Sequence, residues 1–224
     1  MNLKILSKNF KIQKETMVYN NFLTRLISSV FLISVYFFLY FFYSDKIIFF
    51  VTLIYAVIFI EILIYFRRYK LFIISYILIS FFCFFLYFYF KFNPLQFTII
   101  ILCISVFDSS CYLVGKKFGK NKILIHISPN KTYEGLFGGI LFTNLICLTI
   151  YFNTDLSKIN FNLFILNNLV ILFSFFGDLI QSYFKRLNYL KDSGNFIPGH
   201  GGFFDRFDSF LLVIIPISFL NFIF

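Results

Sequence analysis

Residues Ile47–Phe66 read IIFFVTLIYAVIFIEILIYF and are followed at once by Arg67, Arg68 and Lys70. Apart from Thr52, Glu61 and two tyrosines, these 20 side chains are hydrocarbon. A helix rising about 1.5 Å per residue covers about 30 Å over such a length, which is the hydrocarbon thickness of a bilayer. The segment therefore reads as a membrane span ended by cations. Working outward, similar runs occupy about 22–43, 71–90, 95–114, 135–152, 161–182 and 207–224. The pattern predicts an all-α integral membrane protein of about seven transmembrane helices, with its chemistry carried by loops at the membrane face. Residues 1–94 form an N-terminal region of a basic tail and three spans, and 95–224 a catalytic region of four spans and two long loops.

Composition agrees. The 224 residues are 60% hydrophobic, 24% aromatic and 13% charged, whereas a soluble domain carries about 25% charged residues. This excludes a soluble enzyme, a disordered chain and a disulfide-built scaffold. The four cysteines, Cys83, Cys103, Cys111 and Cys147, each sit inside an apolar run without a CxxC pair, and read as packing residues. The first run follows Lys4, Lys8, Lys11 and Lys14 but is too long for the apolar part of a secretion signal, so it is expected to be a retained span.

The net charge of +10 has a direction. Of the 20 Lys and Arg, 17 fall in the N-terminal region and the second, fourth and sixth loops, leaving Lys46, Lys91 and Lys158 for the other side. By the positive-inside rule the N-terminus and the long loops, about 115–134 and 183–206, face the cytoplasm.

Glu61, Asp108, Asp178 and Asp208 lie in or against apolar runs. An ionised side chain at the bilayer centre costs at least about 2.5 kcal/mol, so each asks for a reason. Glu61, six residues before Arg67, can also be read as a helix-end residue reaching the interface. On a helix continuing through 178–185, Asp178, Gln181, Ser182 and Lys185 share one face and form a polar stripe descending from the cytoplasmic side. The loop after it, SYFKRLNYLKDSGNFIPGHGGFFDRFDS from Ser182 to Ser209, combines Lys185, Arg186, Lys191 and Arg206 with Asp192, Asp205 and Asp208. Gly199, Gly201 and Gly202 flank His200, so backbone N–H groups can approach a ligand closely. A helix starting near Phe203 points its positive end at that ligand, which suits a phosphate. Asp205 and Asp208, three apart on that helix, together with Asp178 form an oxygen set suited to a hard divalent cation such as Mg2+. Solvated charges attracting anionic lipid are the plainer reading, but lipid attraction gives no reason for the carboxylates or the glycines. Upstream, Ser128-Pro129 reads as an N-cap and first helical residue of the fifth span, with Lys131, Thr132 and Glu134 in its opening turns.

Ser182-x-Phe-Lys-Arg-x4-Lys-Asp-x-Gly-x2-Ile-Pro-Gly-His-Gly-Gly-x2-Asp-Arg-x-Asp resembles, over 27 ungapped residues, the hallmark of the phosphatidate cytidylyltransferases, or CDP-diacylglycerol synthases. Ser128 to Gly135 is similar to that family's second motif, and Asp108 with Tyr112 and Gly115 resembles its third. The resemblance covers about residues 105–210. It implies an enzyme of a bacterial cytoplasmic membrane that joins CTP to phosphatidate with Mg2+, giving CDP-diacylglycerol and pyrophosphate. The metal ligands it implies are Asp178 and Asp205. The catalytic group is then Asp178, Lys185, Arg186, Lys191, Asp192, His200, Asp205, Arg206 and Asp208. Asp108, Ser128, Lys131, Thr132, Glu134, Ser182, Gly199, Gly201 and Gly202 are expected at the substrates, with His200 contacting phosphate and abstracting no proton. Gln181 stands where that family usually has Glu, and the N-terminal region is shorter than in many members. Membrane lipid is a further expected partner, nucleic acid is not, and a homodimer stays open. Two competitors are a CTP-dependent lipid kinase of the polyprenol type, which moves the γ-phosphoryl group, and a transporter whose Asp108 and Asp178 line an ion path.

Overall fold

The computed structural model describes residues 27, 30–153, 162–194, 196 and 201–223. Seven helices account for most of it: α1 (Val30–Phe42), α2 (Ile47–Tyr65), α3 (Lys70–Lys91), α4 (Pro94–Phe118), α5 (Tyr133–Asn153), α6 (Asn162–Leu187) and α7 (Phe204–Ile223). Four are long and apolar enough to cross a membrane: α2 with its preceding 3-10 turn, α3, α4 and α6. Phe49, Leu53, Leu71, Phe72, Phe82 and Phe137 point outward, as expected of side chains whose solvent is lipid.

Helix ends follow local chemistry where the sequence supplies it. Asn93 caps α4 by accepting from Leu95 N and Gln96 N at 3.0 and 3.3 Å, with Pro94 at the first position that needs no N–H. The fifth helix departs from expectation. Ser128 and Pro129 do not begin it; Ser128–Thr132 is a strand, β2, paired antiparallel with β1 (Lys122–Leu124). The cap is Thr132, whose Oγ1 accepts from Gly135 N at 3.2 Å, while Tyr133 N donates to Asn121 O at 3.0 Å. Glu134 closes the junction by accepting from the backbone and side chain of Asn121. Ser-Pro suits a strand entry as well as a helix start, and a partner strand decides between them.

Small residues set the closest helix crossings, as they do where lipid supplies no hydrophobic drive. A Cβ added to Gly135 would stand 2.7 Å from Cys111 O, and one on Gly138 would meet Val114, so α5 lies tightly on α4. Gly177 brings α6 against α7: a Cβ there would sit 2.7 Å from Asp208 O and 3.0 Å from Ser209 Cα. Both obstacles are backbone, so Gly177→Ala must widen the crossing. It is expected to cost about 1–3 kcal/mol in thermal unfolding in detergent, the usual range for an overpacked contact; an unchanged melting curve would show slack between these helices. Elsewhere hydroxyls and amides join the bundle. Tyr55 OH bonds Ser80 Oγ at 2.7 Å, Ser80 Oγ donates to Leu211 O at 2.6 Å, and Asn167 Nδ2 donates to Asn144 Oδ1 at 2.9 Å.

The loops expected on one side do meet at one end of the bundle. Asn188, just past α6, accepts from Arg67 N and Arg68 N at 2.9 and 2.7 Å, and Arg68 lies over the Tyr189 ring. Arg186 Nε donates to Ile127 O at 3.3 Å, tying the sixth loop to the hairpin of the fourth.

Candidate functional site

Two polar constellations form at this end. The first is a cavity of about 200 Å³ between α4, α5, α6 and β2, lined among others by Asp108, Tyr112, Ser128, Lys131, Thr132 and Asp178. Strand geometry places Lys131 across from α6, where Nζ bridges Asp178 Oδ2 at 2.8 Å and lies 4.5 Å from the centre of the Phe175 ring. That ammonium is 19% exposed and the carboxylate 32%. Ser182 Oγ donates to Asp178 Oδ1 at 3.3 Å, the i, i+4 neighbour on the continuous helix expected here. Asp108 accepts from Ser174 Oγ at 3.4 Å and Ser209 Oγ at 3.3 Å, so one side chain of α4 is held by α6 and α7. Asp108, Asp178 and Asp208 lie within electrostatic range of one another. Gly177 enforces this closeness, because it lets Asp208 approach next to Asp178.

Asp205 anchors the second constellation, only 9% exposed. Its Oδ1 takes Lys185 Nζ at 2.8 Å and Gln181 Nε2 at 2.6 Å; its Oδ2 takes Ser193 N, Ser193 Oγ and Gly202 N at 2.7, 3.0 and 3.3 Å. Gln181 matters here, since an amide donates to this carboxylate where an ionised Glu would repel it. Gly201 holds a left-handed φ of 82°, and a Cβ on it would stand 2.9 Å from Asp205 Oδ2. The turn that delivers Gly202 N to Asp205 thus requires glycine.

The residue that supports this turn is Glu61, which the sequence reading left open between an intramembrane role and a helix end and did not place in the site. Glu61 is fully buried on α2 and accepts from Phe203 N at 2.8 Å, Phe204 N at 3.3 Å and the Ser193 hydroxyl. Gly194 and Gly202 pack against its carboxyl with no room for a Cβ. It caps α7 from another helix, satisfying backbone donors that would otherwise be orphaned. A lone carboxylate in an otherwise apolar run was its only sequence signal.

Of the remaining expected residues, Arg186 ties loops together through Ile127 O and Leu190 O, and Lys191 and Asp192 are exposed. Thr132 and Glu134 both carry structural bonds at the start of α5. Arg206 faces an apolar cavity on the far side of α7. Gly199 and His200 lie outside the described residues. Asp178, Asp205 and Asp208 do not converge on one point, and among the described residues no group of three or more His, Cys, Asp or Glu side chains is arranged to hold a metal. The chemistry of the first cavity nevertheless fits Mg2+. Two carboxylates, Asp108 and Asp178, line the cavity beside Lys131, their donors are hard oxygen, and such ions commonly take one or two carboxylates and complete their shell with phosphates and water.

Fold and site together define a polytopic helical membrane protein with a charged cleft at one end of its bundle. The chain belongs to the cytidylyltransferase family, whose model matches residues 7–224. It is similar to a phosphatidate cytidylyltransferase of Staphylococcus epidermidis, 43% identical over 113 residues, and to one of Staphylococcus aureus, 43% identical over 116. Each match covers 50% of this chain and 44% of the relative, so the chain spans less than half the length of the curated relatives it matches. A third relative of the same description, from Staphylococcus haemolyticus, is 41% identical over 116 residues.

Proposed function

We propose that the chain transfers CMP from CTP to phosphatidate, giving CDP-diacylglycerol and pyrophosphate for phospholipid synthesis. The observation that carries this reading is the cavity holding the Lys131–Asp178 pair and Asp108. It lies at the end of the bundle where the basic loops gather, yet it is walled by apolar helices. A phosphate anchored in lipid and a soluble triphosphate can meet there. The names of the staphylococcal relatives support the same substrates. The seven spans expected from the sequence, of which α2, α3, α4 and α6 are long and apolar enough among the described residues, suit a bacterial cytoplasmic membrane. Loops two, four and six are bonded to one another at one end, and their cations put that end in the cytoplasm.

The reaction needs little proton chemistry. A phosphate monoester has its second pKa near about 6 and is largely dianionic at neutral pH, so its oxygen can attack the α-phosphorus of CTP without a general base. A new P–O bond forms, the bond to the β-phosphate oxygen breaks, and pyrophosphate leaves with the electron pair. The burden is charge: two anions must approach and a third must depart. Lys131 and Lys185 supply fixed cations at the two constellations. Asp178, with Asp108 and Asp208 beside it, would hold Mg2+, which when bound supplies positive charge to the phosphates. Asp205 is the less open ligand, since Lys185, Gln181, Ser193 and Gly202 already donate to it.

The test is incorporation of labelled CTP by purified protein in detergent with phosphatidate and Mg2+. Label from the α-phosphate is expected in lipid, with one pyrophosphate per turnover, and label from the γ-phosphate is expected to stay out. Entry of the γ-label would establish a lipid kinase instead, and no incorporation of either would refute the reading.

A further inference from the structure

The cavity at Lys131 and Asp178 is too small for a whole nucleotide. It measures about 200 Å³, below the roughly 300–1,000 Å³ of sites that enclose a drug-sized ligand. It can enclose reacting phosphates, and a base attached to them must lie at its rim. Three aromatic rings stand in its wall, Phe107, Tyr112 and Phe175. Phe107 is buried, and Lys131 already sits 4.5 Å from the centre of Phe175. Tyr112 is 64% exposed. Lys116 lies 5.7 Å from the centre of its ring, and since one side chain covers one face, the other face stays open.

The spacing along α4 fits a nucleotide. Tyr112 follows Asp108 by four residues on this helix, so the two share a face, with Tyr112 about 6 Å nearer the loops. That separation suits the ribose that links a phosphate to its base. Asn130, exposed on β2, lines the same cavity. No partner among the described residues takes its side-chain amide. An amide carries a donor and an acceptor side by side, and the edge of cytosine offers the complementary pair, the N3 acceptor and the N4 amine.

We propose that the cytosine of CTP stacks on Tyr112 with its edge on Asn130, while the phosphates enter the cavity toward Lys131. This deepens the proposed function and rests on it for the identity of the nucleotide. Stacking supplies affinity, because every base has a π-face, and the amide adds the contact to the edge. With the base held outside, the α-phosphate of CTP and the phosphate of phosphatidate share the one cavity in which they react.

The experiment is equilibrium binding of labelled CTP to the purified full chain in detergent with Mg2+, competed by unlabelled CTP or by ribose 5-triphosphate, which has the phosphates and no base. CTP is expected to compete about tenfold better, as one stacked ring predicts. Tyr112→Leu should remove that preference, and Tyr112→Phe, which keeps the ring, should retain it. Asn130→Ala should weaken CTP about fivefold, as a hydrogen-bonded edge predicts, and leave ribose 5-triphosphate as it was. In turnover, Tyr112→Leu and Asn130→Ala should raise KM for CTP and leave KM for phosphatidate within about twofold, since only nucleotide binding is touched. Equal competition by the two ligands at the wild type would overturn the proposal, as would no saturable CTP binding, a preference that survives Tyr112→Leu, or CTP binding untouched by Asn130→Ala. A base preference that responds to Tyr112 in protein without cytidylyl transfer would instead overturn the activity reading and keep the base site.

Discussion

Asp178→Asn is expected to lower cytidylyl transfer at least about 100-fold while leaving the melting temperature close to wild type. Removing one electrostatic group from a preorganised site commonly costs that much. The change keeps the shape of the side chain and its bond to Ser182, and withdraws the charge that pairs with Lys131 at 2.8 Å. Because the carboxylate is 32% exposed to its cavity, folding depends on it weakly. Labelled-CTP incorporation and thermal unfolding, measured on the same preparation, check the two halves separately. Activity within a few-fold of wild type would move the metal and the chemistry away from the first cavity. A large drop in melting temperature would recast Asp178 as a structural residue. Raising Mg2+ is expected to recover little of the loss, since an amide oxygen is a poorer ligand than a carboxylate.

Glu61→Leu is expected to have the largest effect on stability. The variant leaves Phe203 N and Phe204 N inside the protein without their acceptor, and each orphaned buried donor costs about 1–3 kcal/mol; the Ser193 hydroxyl keeps Asp205 as acceptor. A loss of about 2 kcal/mol or more follows, together with faster proteolysis in the segment between α6 and α7. Glu61→Gln retains one oxygen for the two backbone amides and is expected to recover much of the loss. Activity should follow stability here, because Ser193 also bonds Asp205. If Glu61→Leu melts like wild type, the buried network contributes nothing and α7 is held by packing alone.

These two carboxylates mark the limits of sequence reading. Asp178 was legible because one of its partners, Ser182, is local, although its ion-pair partner Lys131 comes from a distant strand. Ser182 and Lys185 follow on the same helix face, and an intramembrane Asp beside a polar stripe asks for a function. Glu61 was not, because its partners lie more than 130 residues away on another segment, and nothing near position 61 hints at them. Ser128-Pro129 misled for a related reason. The pair fits a helix start and a strand entry equally, and its pairing with Lys122–Leu124 settled the matter. The same holds for the expected metal trio. Helical spacing puts Asp205 and Asp208 near one face, but Lys185, Gln181 and Ser193 draw Asp205 into its own network.

Burial in lipid is a one-dimensional constraint, so composition and run length alone established the helical membrane class and α2 to α7 to within a few residues, while the start of the expected first span lies outside the described residues. The motifs added the family. Which loops touch, which carboxylate faces which cation and where two helices meet through a glycine are pairings between distant segments. They depend on side-chain volumes and hydrogen-bond donors finding each other in three dimensions, and those distances are written only in the packed bundle.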